Sequence, residues 1–281
     1  MIVLFILAIA CSQTSLLHAY NESLIYRTGA SQKTNYPAFC KLASEDNAVF
    51  STFRKNINFV DVVETLSYEL GLEFAKAIVQ RYPHLLPYCS KISQEDSVGG
   101  PIQRLFSSLG LWFSPTTLRY IKIAGDLEKE FGSLKNFNIV EIGGGCGGQC
   151  KVLHDTTGFA SYTIIDLPET TLLINKFLST FNIQNIQTIA NSQLTNSISS
   201  DLVISNYAFS EIDTPEQLYY IVKVIQHAPR GYMIYNLMPP VNPLSLNEFA
   251  AILSLLGKKV RIERENPLTG DHNYVIIWHP A

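Results

Sequence analysis

Five glycines crowd a single turn: Gly143, Gly144, Gly145, Gly147 and Gly148 surround Cys146 in IVEIGGGCGGQCKVL, residues 139–153. Glycine permits positive φ and lets a ligand approach the backbone, at an entropic cost that a plain turn need not carry. Between a strand and a helix, such a turn reads as a cradle for a nucleotide-type cofactor. Gly143-x-Gly145-x-x-Gly148 also satisfies the nicotinamide-dinucleotide fingerprint. Glu141 stands two residues before the first glycine, and Asp166 ends the next strand-like run. A carboxylate there can accept both hydroxyls of a ribose, or cap the helix that Pro168 opens. Two further places could move a proton. His272 lies beside Asp271 and reads either as a base oriented by an acid or as a polar turn residue. Glu211, close to Asp213 and Tyr207, reads as a base or as a structural cap.

These residues need a scaffold, and the apolar pattern supplies one. Strands are predicted at 137–142, 161–166, 186–190, 201–205 and 231–237, with helices between most of them. Thr214-Pro215-Glu216-Gln217 and Ser245-Leu246-Asn247-Glu248 both fit a capping box, and Gly257 can end the second helix. Such alternation implies a parallel sheet with helices on both faces. The runs 258–264 and 273–279 are joined by too few residues for a crossover helix, so they form an antiparallel hairpin. The last strand then begins at the C-terminal edge of the sheet, and its loop carries Asp271 and His272 there.

Ahead of the sheet domain (133–281) lies a predicted helical module or lid, 60–132. Val62, Leu66, Leu70, Phe74 and Ile78 recur every fourth position from Val60 to Gln80, and Pro83 and Pro87 break the pattern. Residues 93–101 read as a mobile loop. Ser114 and Pro115 start a helix as N-cap and N1, and Gly132 ends it. Arg119 and Tyr120 on that helix are placed to roof the glycine turn. Residues 20–59 are polar and aperiodic, a loosely ordered lead-in. Residues 1–19 are signal-like in their apolar run, lack a positive start, and fit a mischosen start codon nearly as well.

The 281 residues are 47% hydrophobic and 16% charged, with a net charge of −3, which fits a globular protein with a sizeable core and gives no reason to expect a nucleic-acid partner. The five cysteines lack zinc-site spacing and read as free thiols of a reducing compartment. No paired carboxylates or His/Asp cluster mark a metal site, so a metal-free mechanism is expected.

Together SPTTLRYIK (114–122), VEIGGGCGGQCKVL (140–153), YTIIDLPE (162–169), SNYAFSEI (205–212) and NYVIIW (273–278) resemble the sugar O-methyltransferase family of the class I S-adenosylmethionine (SAM)-dependent enzymes. The resemblance covers roughly 112–279 and implies a Rossmann-like α/β sheet of five parallel strands closed by an antiparallel hairpin. It implies SAM as methyl donor and a small-molecule acceptor, a sugar or glycan. SAM has no phosphate, so its cradle must hold an amino acid, a sulfonium and a nucleoside. The resemblance assigns cofactor contacts to Glu141, Gly143, Gly144, Gly145, Gly147, Asp166, Leu167, Asn191 and Asn206. Among these Glu141 faces the methionine ammonium or caps the loop, and Asn191 meets adenine or serves as a turn residue. His272 assisted by Asp271, or alternatively Glu211, takes the acceptor proton. SAM chemistry and free thiols favour the cytoplasm, with a secreted or membrane-tethered form only if residues 1–19 act as leader or anchor.

Overall fold

The computed structural model describes residues 29–236 and 241–281, so the signal-like segment and the first part of the lead-in lie outside the described residues. A two-stranded hairpin, β1 (Arg104–Phe106) and β2 (Leu111–Phe113), precedes the main sheet and has no counterpart in the sequence reading. The main sheet holds β3 (Asn138–Ile142), β4 (Ser161–Asp166), β5 (Ile186–Ala190), β6 (Leu202–Asn206), β7 (Arg230–Tyr235), β8 (Lys258–Arg264) and β9 (Tyr274–Pro280). Their spatial order is β5-β4-β3-β6-β7-β9-β8. Five strands run parallel, and β9 inserts antiparallel between β7 and β8. This is the expected α/β, Rossmann-like class I methyltransferase sheet with its C-terminal hairpin. The order reverses between β3 and β6, which opens a crevice beyond their C-terminal tips.

The central strands β3, β4, β6 and β7 are largely apolar on both faces because helices cover both. Alternate residues divide between two cores: Leu202 and Ile204 of β6 enter one, and Val203 enters the other. The helices Thr214–Lys223 and Leu246–Leu255 pack on the Val203 side, where Ser245 and Glu248 form the expected capping box. At the other expected box the helix is capped differently. Asp213 is the N-cap residue, and its carboxylate turns away to accept the Asn242 N–H.

The opposite face carries the N-terminal module, which differs from expectation at three places. The lead-in is ordered from residue 29 on. Tyr36–Glu45, Asn47–Phe50 and Ile57–Val60 are helical, and Phe53 and Phe59 are fully buried against the core of the sheet. Most of its polar residues are exposed or capping, while a few aromatic side chains and the buried Arg54 supply the anchoring, which periodicity cannot register. Second, the helix expected from Val60 begins only at Tyr68, where the Ser67 hydroxyl accepts the Leu70 N–H. The loop before it points Val62, Val63 and Leu66 at the crevice, so the fourfold spacing there marks a cleft wall. Third, the segment read as a mobile loop contains a helix to Glu95 followed by a buried charge cluster. The Asp96 carboxylate accepts from Arg54 Nη1 (2.8 Å), the Ser114 N–H (2.6 Å) and the Thr117 hydroxyl (2.6 Å). Arg54 also donates to Glu64 at 2.6 Å and to Ser114 Oγ at 2.9 Å. The cluster pins the lead-in to the start of the Pro115–Phe131 helix, which Ser114 and Pro115 begin and Gly132 ends as expected. Among the described residues no helix is long and apolar enough to cross a membrane.

Breaking one partner of a buried ion pair strands the other charge. Asp96→Ala should lower the stability of the whole chain by about 3 kcal/mol, read as a shifted urea midpoint with an unchanged m-value.

Candidate active site

The glycine turn lies at the tip of β3. Gly143 has φ +77°, and a Cβ there would lie 2.0 Å from the Ala208 side chain; Gly145 has φ +60° with Val63 against it. The Gly143 N–H donates to the Ile165 carbonyl at 2.9 Å, and the Gly144 N–H to Asp166 Oδ2 at 2.7 Å. The turn is therefore tied to the tip of β4. Gly147 closes it by donating to the Gly144 carbonyl, and the Gly148–Thr156 helix leaves from there.

One cleft of about 730 Å³ runs across these tips. It is lined by Glu141, Gly143, Gly144, Gly145, Asp166, Leu167, Asn191, Asn206, Glu211, Asp271 and His272 among the residues singled out from the sequence. Gly147 is not on the wall: it faces Leu178 and shapes the turn from behind.

Each acid in the cleft has its own environment. Glu141 is buried, and burial pushes its carboxyl up to about 8, against the Tyr162 phenol that donates to it at 2.9 Å. Asp166 accepts the Leu167 and Gly144 N–H groups at 2.7 Å each; burial still pushes it up to about 6. Asn191 heads a short turn after β5 and donates to Glu216 Oε1 at 3.1 Å. Glu216, on the Thr214–Lys223 helix, also lines the cleft and was missed from sequence, where it reads only as part of a capping box.

Asn206 donates to Gln149 Oε1 at 3.3 Å, while its own Oδ1 is buried with no partner. Tyr207 follows at φ +73°, a strained backbone for a bulky residue of the kind that gathers at functional sites. Its phenol donates to Glu265 and contacts Thr269 Oγ1 at 3.0 Å, and its ring lies 5.1 Å from the Arg119 guanidinium carbon. Glu265 further accepts from the Thr269 N–H and from Asn273 Nδ2, both at 3.1 Å, which fixes the hairpin loop over the cleft. Glu265 was also missed, because nothing in its spacing sets it apart from a surface acid.

The two candidate bases differ in setting. His272 and Asp271 stand exposed at the rim, with no hydrogen bond or ion pair between them among the described residues. Asp271 meets the fold through its carbonyl, which accepts from Arg264 at 2.7 Å. Glu211 sits in the wall, where Asn236 Nδ2 donates to it at 2.9 Å. Burial raises its carboxyl, opposed by the Asn236 amide and the Arg119 charge. Its carbonyl accepts the Ala30 N–H at 2.8 Å, so residues 29–36 are drawn across the cleft mouth.

The donor set fits S-adenosylmethionine: an open glycine turn, a diol acceptor at Asp166, acids toward a cationic amino acid, and an orphaned buried acceptor on Asn206. No protein-family model and no curated protein sequence matches the chain. Among solved structures, it is similar to a SAM-dependent methyltransferase from Aquifex aeolicus, at 18% identity over 55% of this chain and 88% of that one, with a TM-score of 0.42. It is also similar to the ribosomal protein L11 methylase from Lactobacillus delbrueckii subsp. bulgaricus, at 14% identity over 58% and 78%, TM-score 0.41. A third likeness, to PigF with SAH, has 16% identity over 61% and 77%, TM-score 0.40. The strand order and glycine turn of this chain are those of the class I SAM-dependent methyltransferase fold.

Proposed function

We propose that this protein is a SAM-dependent O-methyltransferase acting on a hydroxyl of a small polar acceptor, a sugar in the reading the motif resemblance favours. The observation that carries it is the shared cleft: the groups we assign to the nucleoside and the amino acid line one stretch of wall, and a half-buried carboxylate, Glu211, stands on the same cavity. SAM, when bound, supplies an electrophilic methyl carbon on a sulfonium. Asp166 accepts the ribose hydroxyls, Asn191 and Glu216 meet the adenine edge, and Glu141 faces the amino-acid end. Glu211 takes the acceptor proton as the oxygen attacks, and Asn236 holds its carboxylate in place. Burial raises its carboxyl, opposed by the Asn236 amide and the Arg119 charge, which makes it a stronger base than an ordinary glutamate. The exposed His272 then serves the rim of the acceptor site. Residues 29–36 and the 265–273 loop keep water from the bound pair, which favours in-line transfer by orientation.

Calorimetry should show SAM binding and no binding of a nicotinamide dinucleotide. Asp166→Ala should weaken SAM by about 1–3 kcal/mol; an unchanged affinity would place the ribose elsewhere. Once a screen of free sugars and nucleotide sugars yields a methylated product, Glu211→Gln should cut turnover ~10²-fold or more with SAM affinity nearly unchanged, and His272→Ala by less than about tenfold. The reverse order would return the base to the hairpin loop.

Glu141 sets a pH dependence. Its folded pKa near 8 exceeds the ordinary 4.5, so the stability it lends the unliganded protein is complete below pH 4.5 and is lost as pH rises through 8. A cationic ligand favours the carboxylate, so SAM uptake expels this proton below pH 8. Affinity should therefore strengthen between pH 6 and 7.5, by up to about tenfold per unit. Calorimetry in buffers of different ionisation enthalpy should register proton release that Glu141→Gln abolishes.

A further inference from the structure

Arg119 is a buried cation without a counter-ion. Its side chain lines the cleft and is 6% exposed, yet among the described residues no carboxylate lies within ion-pair distance of it. Its Nε has no hydrogen-bond partner, and one Nη donates to the Val63 carbonyl at a long 3.5 Å. The two acids whose charges reach it are committed elsewhere: Glu265 to Tyr207, Thr269 and Asn273, and Glu211 to Asn236. Burying an unpaired guanidinium is costly, and such a cost persists where a ligand completes the pair. The guanidinium fork suits a planar carboxylate.

Its place narrows the choice. Val63, whose carbonyl it touches, packs on Gly145 of the glycine turn, and the guanidinium carbon lies 5.1 Å from the Tyr207 ring and 5.6 Å from that of Tyr120. Asn206, directly before Tyr207, carries one of two orphaned acceptors on the cleft wall, Oδ1, the other being Gln32 Oε1 on the strap across the mouth. An unpaired buried donor and an unpaired buried acceptor beside one turn match the carboxylate and ammonium of an α-amino acid.

We propose that Arg119 is the counter-ion of a ligand carboxylate held between the glycine turn and Tyr207, that of the methyl donor's own methionyl group or, failing that, an acid group of the acceptor. The inference rests on the methyltransferase reading above.

The test compares S-adenosylhomocysteine, its decarboxylated analogue and 5′-methylthioadenosine by calorimetry on the full chain. Wild type should bind S-adenosylhomocysteine roughly 10- to 100-fold more tightly than the decarboxylated analogue. Arg119→Gln should erase that difference and leave methylthioadenosine affinity unchanged, with Arg119→Lys restoring part of it. If Arg119→Gln leaves S-adenosylhomocysteine untouched but abolishes glucuronate binding to the S-adenosylhomocysteine complex, the carboxylate is the acceptor's, and the proposal holds through its second source. Three results overturn it. One is a wild type indifferent to the carboxylate on both donor and sugar. Another is a variant indifferent to both. The last is an equal loss for methylthioadenosine, which would make Arg119 structural. Should wild type bind none of the three adenosine compounds, the methyltransferase reading itself fails, and this inference with it.

Discussion

The hydrogen bond from the Gly144 N–H to Asp166 is the contact on which the site depends. It joins the turn after β3 to the tip of β4, and the rest is threaded from it. With Gly144 held, its carbonyl receives Gly147, and the next helix starts in a fixed direction. That direction sets Gln149, which donates to the Tyr120 carbonyl and accepts from Asn206. A single carboxylate thus aligns the tips of β3, β4 and β6 and the roofing helix. Each of these contacts uses a backbone group or an amide, whose geometry tolerates little drift.

The cleft and the hairpin loop over it are rich in acids, and their management is a second constraint. Glu141 has a phenol, Asp166 two backbone N–H groups, Glu216 the Asn191 amide, Glu211 the Asn236 amide and Glu265 a phenol with Thr269 and Asn273. These donors are neutral groups, several from distant parts of the chain, and they orient the carboxyls without supplying a counter-charge. Carboxyls that ionise on ligand binding suit a ligand bearing a sulfonium and an ammonium better than a pyrophosphate. Gly143-x-Gly145-x-x-Gly148 alone does not distinguish these ligands, whereas the acids around it do.

Much of this was legible in the sequence because it follows from periodic or local rules. The five parallel strands appear within a residue or two of their expected ends, since each is a short apolar run next to a helix with good start signals. The glycine turn, Asp166 and Asn191 sit at strand tips for the same reason. What escaped depends on partners distant in sequence. Asp96 looks like any loop acid until Arg54 and Ser114 surround it. Glu265 looks like surface until Tyr207 reaches it across 58 residues. Glu216 fits a capping motif whose cap is in fact supplied by Asp213. The pairing of His272 with Asp271, by contrast, was drawn from adjacency, and neighbouring residues in a loop commonly point apart.

The lead-in packs where it does at a cost in time. The Tyr36–Glu45 helix lies against the Pro168–Ser179 helix, with Lys176 donating to the Ala43 carbonyl 133 positions earlier in the chain. During synthesis from the N-terminus, Phe53 and Phe59 emerge well before the surface that will bury them exists. Contacts of such sequence separation form late and slowly, because loop closure must precede any gain from burial. The nascent chain therefore carries exposed aromatic side chains until the second βα unit is complete, the interval in which chaperones and aggregation compete for it.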